Sequence, residues 1–168
     1  MPLSKSMRRR VVIILLAMMA TGCTRAALAQ DFRSGLDAFD AGDYASAFAN
    51  WWPLAKQGDP KSQASLGFLY YAGKGVPRDD LQSLLWFRRA AESGQPTAQF
   101  FLGLHYFYGR GVPRDMARAY AWCDIAMANG YTEGLFCRDA AALEMSPADM
   151  HRSTELTTEF FRTHQFRN

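Results

Sequence analysis

Gln63–Gly94, QASLGFLYYAGKGVPRDDLQSLLWFRRAAESG, is written a second time 36 positions downstream as Gln99–Gly130, QFFLGLHYFYGRGVPRDMARAYAWCDIAMANG. Leu66-Gly67 returns as Leu102-Gly103, Tyr70 as Tyr106, and Gly75 to Asp79 as Gly111 to Asp115. Trp86, Ala90 and Gly94 return as Trp122, Ala126 and Gly130. A fixed period of this length marks a stacked array of supersecondary units. Leu66 and Tyr70 stand four apart, as do Trp86 and Ala90, so each pair shares one face of a helix. Between them, Gly73 to Asp79 supplies glycines that tolerate positive φ, a proline that stops a helix, and an aspartate placed to cap the next one. Each unit therefore reads as a helical hairpin. Gly67 and Gly103 fall inside helices, where glycine costs about 1 kcal/mol relative to alanine; close helix contact is the expected compensation.

Ala-x-x-x-Leu-Gly-x-x-Tyr-x-x-Gly-x-Gly-Val at Ala98–Val112, continued by Asp115, Ala119, Trp122, Ala126 and Gly130, resembles the Sel1-like repeat family, relatives of the tetratricopeptide repeat. The clearest copies are 62–94 and 98–130, the earlier carrying Ser62 and Ser83 where Ala98 and Ala119 stand in the later. The resemblance implies an all-α fold: an α-solenoid of helix-turn-helix repeats, about four hairpins in a right-handed superhelix. It implies binding of another protein along the concave surface, which first helices line.

Residues 1–29 read as an export signal: basic Lys5 and Arg8 to Arg10, an apolar run Val11–Ala20, and a small-residue cleavage site at Ala27-Leu28-Ala29. The mature chain is then 30–168, starting at Gln30 and periplasmic. The apolar run is short of the roughly 20 residues needed to span a bilayer. Thr21-Gly22-Cys23 offers a rival reading, a lipid anchor on Cys23; a retained N-terminal anchor is a third, and Met7 competes with Met1 as the start. The five basic residues of 1–29 leave 14 basic against 16 acidic residues, a net charge of −2, so the chain lacks the basic excess of a nucleic-acid binder.

Asp31–Ala41 and Asp43–Gln57 read as a first, atypical hairpin, with Pro53 expected to kink its second helix. Trp51 takes the place of Phe87 in the period and is expected in the core; Trp52 takes that of Arg88 and is expected at the surface. Thr132–Met145 reads as a last first-helix. Ser146-Pro-Ala-Asp149 then opens a final helix expected to close the end of the array through Met150, Leu156, Phe160 and Phe161.

No His-Glu-x-x-His, Cys-x-x-Cys, Gly-x-Ser-x-Gly or Ser-x-x-Lys occurs, and the Gly-x-Gly loops lack the continuation of a phosphate-binding loop. No cofactor or metal is implied: His105, His151 and His164 are far apart, and His105 reads as a surface or groove residue. Aromatics beyond the repeat pattern, Phe100, Phe101, Phe107 and Tyr108, are either extra core or a recognition surface. In the second case Phe101, His105 and Tyr108 form one stripe facing the groove, with Trp52 a further contact.

Cys123 and Cys137 each lie seven residues from the turn at Gly130, so both stand about 10 Å up antiparallel helices. A disulfide follows if the side chains face each other; two buried thiols are the competing reading. Two function classes remain, a non-catalytic envelope adaptor and an envelope hydrolase of the type found among cysteine-rich, β-lactam-binding relatives. Those relatives carry a disulfide in each repeat, which this chain does not. The absence of catalytic sets favours the adaptor, whose partner is an envelope protein or peptide.

Overall fold

A computed structural model describes residues 32–164. The export-signal reading, Cys23, Met1 and Met7 lie outside the described residues.

Prolines and capping side chains open most of the helices. Pro60 and Pro96 occupy first-turn positions of α3 (Pro60–Ala72) and α5 (Pro96–Tyr108), where a missing N–H is harmless. Asp79 accepts from the backbone N–H groups of Leu81 and Gln82 to open α4 (Asp80–Glu92), and Asp115 accepts from that of Arg118 to open α6 (Met116–Ala128). Gly73 and Gly109 end the preceding helices with φ of 65° and 68°, a left-handed conformation other residues adopt only with strain. Ahead of these repeats stand α1 (32–40) and α2 (Tyr44–Lys56); behind them stand α7 (Gly134–Ala142) and α8 (Pro147–His164). The described residues form an all-α solenoid of helical hairpins.

Pro53 does not break α2, which runs through it to Lys56. It lies within the last turn, so only one backbone bond, to Ala49, is lost.

Within each hairpin one crossing recurs. A Cβ on Gly67 would stand 2.8 Å from the Phe87 ring; on Gly35 it would meet Trp51, and on Gly103 the Cys123 sulfur. The first helix of each pair thus lies directly on position 51, 87 or 123 of the second, which explains glycine in mid-helix. Between hairpins a second device recurs: the buried Gln63 amide donates to the Ala55 carbonyl at 3.1 Å, and Gln99 donates to that of Ala91 at 3.2 Å. Each satisfies a carbonyl in the last turn of the preceding helix. Cys123 and Cys137 are disulfide-bonded, with Cα atoms 5.9 Å apart, tying α6 to α7.

The final helix does not close the array. Ser146 and Asp149 exchange capping bonds at its start, as the sequence suggests. Yet α8 packs back across α6 instead of pairing with α7. Phe160 meets Trp122 at 5.4 Å, Arg152 pairs with Asp115 at 2.8 Å, and His164 Nε2 reaches the Glu92 carbonyl of α4 at 2.8 Å. The reason is a mismatch of length: α7 has nine residues and α8 eighteen, so α8 finds its apolar partners beyond α7. Phe136 and Leu143 at the open end remain 78% and 89% exposed.

Candidate functional site

First helices approach one another, α3 to α5 and α5 to α7, whereas α2, α4 and α6 stay further apart. First helices therefore line the inner side of the curve. There α1, α3 and α5 enclose a cleft of about 300 Å³. Its walls are Phe32, Leu36 and Phe39 of α1, Phe68 of α3 and Phe101 of α5. Trp51 and Phe87 reach its floor from the second helices, through the gaps that Gly35 and Gly67 leave. The rings form a continuous set: Phe39 meets Trp51 and Phe68 at 5.9 Å, Phe68 meets Phe101 at 5.9 Å, and Phe101 stacks on Phe87 at 4.7 Å. Such rings offer large contact area with few rotatable bonds, the property that concentrates binding energy in aromatic side chains.

Among the residues lining the cleft the charged one is Lys61, and Lys74 stands outside that lining, at its edge. The Lys74 ammonium lies over the rings of Tyr44, Phe39 and Phe68 at 4.6, 5.4 and 6.0 Å. No Asp or Glu is among the residues lining the cleft.

The stripe expected on α5 is split by the structure. Phe101 is half-buried and lines the cleft. Tyr108 is 58% exposed and belongs to a second cleft, shared by Phe100, Leu104 and Phe107 with Phe136 and Cys137 of α7. His105 is fully buried, which corrects its reading as a groove residue. It stands about 60° from Leu102 around the helix, and α5 buries a wider arc than a single stripe because hairpins flank it on both sides. The signal that could have placed it is Leu69, one period earlier, which is equally buried. Trp52 is exposed at the surface of α2, against Phe48 and Trp86 and away from the cleft.

His105 has a structural partner that sequence reasoning missed. Its Nδ1–H donates to the Arg110 carbonyl at 2.7 Å, and its Nε2 lies 3.0 Å from the Ser83 hydroxyl. That hydroxyl donates to the Gly67 carbonyl at 3.0 Å, so its single hydrogen is shared between that oxygen and Nε2 of the neutral ring. Burial holds the imidazole below its ordinary pKa and therefore neutral, the nearby Arg110 carbonyl and Asp80 only partly opposing this. The serine and histidine are both departures from the repeat pattern, standing where Ala119 and Leu69 stand in the other copies, and each satisfies the other. With both side chains sealed from solvent, the pair joins α3, α4 and α5 and offers no nucleophile to a substrate. Among the described residues no group of three or more His, Cys, Asp or Glu side chains could hold a metal ion.

The Sel1 repeat family matches residues 60–95 and 96–131, the two hairpins at the centre of the cleft. The chain carries two Sel1 repeats. No curated protein matches it. Among solved structures it is similar to an SLR-fold protective antigen of uropathogenic Escherichia coli strains, at 29% identity and a TM-score of 0.77 over 80% of this chain. The match spans only 30% of that antigen's length. A Sel1 repeat protein from Oxalobacter formigenes is also 29% identical, with a TM-score of 0.62, over 74% of this chain and 97% of its own. Sel1 repeats are generally non-catalytic scaffolds for protein interaction.

Proposed function

We propose that this Sel1-repeat chain is a non-catalytic periplasmic adaptor that binds a protein or peptide in the cleft between α1, α3 and α5. The observation that carries the reading is the cleft itself: a connected wall of Phe32, Leu36, Phe39, Phe68 and Phe101 open on one side. A concave, mostly apolar cleft with a few polar groups at its edge is the usual form of a binding site. Export is supported by the basic start, apolar run and Ala27-Leu28-Ala29 site of the sequence, and N-terminal sequencing should find Gln30 first. An intact Met1 or an acylated Cys23 would overturn that part of the proposal.

The adaptor role is tested by photocrosslinking in intact cells. A benzophenone side chain at Ser65 or Thr97 in the cleft should trap a specific protein. The same group at exposed Leu85 of α4 should not trap it. Trapping from Leu85 alone, or from no position, would overturn the proposal.

A further inference from the structure

We propose that the occupant of this cleft is an acidic peptide segment: an aromatic or large aliphatic side chain in the cleft, bracketed by Asp or Glu residues that reach Lys61 and Lys74. The inference rests on the reading of the cleft as a protein-binding surface and adds the chemistry of the partner.

Two observations carry it. The first is the charge already described: Lys61 in the lining of an apolar cleft that holds no carboxylate, and the Lys74 ammonium at its edge over the rings of Phe39 and Phe68. The second is that neither charge is neutralised by another of the described residues. Arg78, Arg114, Arg118, Arg138, Arg152 and Arg162 pair with aspartate or glutamate within 4 Å, whereas Arg33, Lys56, Arg88, Arg89 and Arg110 do not, but none of these five lines the cleft or lies over its rings. Among the described residues Lys61 and Lys74 have no such partner, and the aromatic rings beneath Lys74 hold its charge at the cleft edge. The cleft on the other side of the solenoid is less suited, since Glu92 lines it together with Arg88 and Arg118, and α8 already covers it.

Spacing adds a second constraint. Lys61 stands in the first turn of α3 and Lys74 just beyond its last, so their backbones are separated by about 20 Å at 1.5 Å per residue. An extended peptide covers that span with about six residues at ~3.3 Å each. The segment that fits therefore carries its carboxylates about six positions apart, with the apolar side chain between them. Complementary charge at the two ends fixes register and disfavours basic competitors.

Display of random twelve-residue peptides against the purified exported protein tests this. Recovered peptides should carry Asp or Glu on both sides of Phe, Leu or Trp. The best of them should bind about tenfold more weakly to a Lys61→Glu/Lys74→Glu variant of unchanged melting temperature, as expected when two partly exposed ion pairs become repulsive. A copy of that peptide with lysine for each acid should prefer the variant. Recovery of neutral or basic peptides, acidic peptides indifferent to the charge reversal, or no peptides at all would overturn the inference. If a protein is still trapped from Ser65 in cells, the adaptor reading stands and only the acidic chemistry falls; if neither peptide nor protein is captured, both fall.

Discussion

Replacing Phe101 by alanine separates the two roles that this side chain combines. Complete burial of a phenylalanine makes the change to alanine worth about 3–5 kcal/mol. Phe101 is only half-buried, but it stacks on Phe87 at 4.7 Å and meets Tyr71 and Phe100 at 5.3 and 5.4 Å. A loss of about 2–3 kcal/mol follows, since aromatic pairs add roughly 0.5–1.5 kcal/mol beyond burial. For a domain of this size each kcal/mol lowers Tm by about 3–5 °C, so the variant should melt about 6–15 °C below the parent. Tyr108, 58% exposed, should lose less than about 1 kcal/mol on the same change. Urea denaturation followed by far-UV circular dichroism gives both values. Equal losses for the two variants, or a Phe101→Ala loss below about 1 kcal/mol, would refute the placement of Phe101 against Phe87.

Gln99→Leu should cost about 1–3 kcal/mol in the same assay, because the Ala91 carbonyl and the Asn129 amide, 2.9 Å from the Gln99 oxygen, both lose a partner. Removing the Cys123–Cys137 bond, which closes a separation of 14 residues, should cost about 3 kcal/mol on the chain-entropy estimate. Thiol titration of the unfolded, unreduced exported protein should accordingly find none free, and two free thiols would refute the bond. Because burial lowers the pKa of His105 from its unfolded value of 6.5, the unfolded chain takes up that proton first as pH falls. The contribution of His105 to stability should therefore be flat above about pH 7.5 and turn unfavourable below about 6.5. A His105→Leu/Ser83→Ala variant, which imports the residues of the other copies, should lose that part of the pH dependence. An unchanged profile would contradict a buried neutral histidine.

Most of the fold was legible because its determinants are local and repeated. Pro60, Pro96, Asp79 and Asp115 start helices by filling or capping unpaired N–H groups, and two copies of one pattern leave little choice of register. The mid-helix glycines announced close contact, though only the structure shows that their partners are Trp51, Phe87 and Cys123. Errors arose where long-range contacts decide. The helical angle of His105 suggested a groove because its partner, Ser83, lies 22 residues away on another helix. The course of α8 depends on Trp122 and Asp115 finding it from α6, which no spacing within α8 encodes. The cleft itself was only half visible: Phe101 stood out as an aromatic beyond the pattern, whereas Phe32, Leu36 and Phe39 join it only once α1 has packed beside α3.

The central claim is that the inner face of the first helices, not the outer face of the second helices, receives the partner. Hydrogen exchange of the protein, free and bound to the protein trapped from Ser65, measures this directly. Binding should slow exchange in α1, α3 and α5 and leave α2 and α4 unchanged. Slowing confined to α2, α4 and α6, with α1 and α3 exchanging as in the free chain, would contradict it.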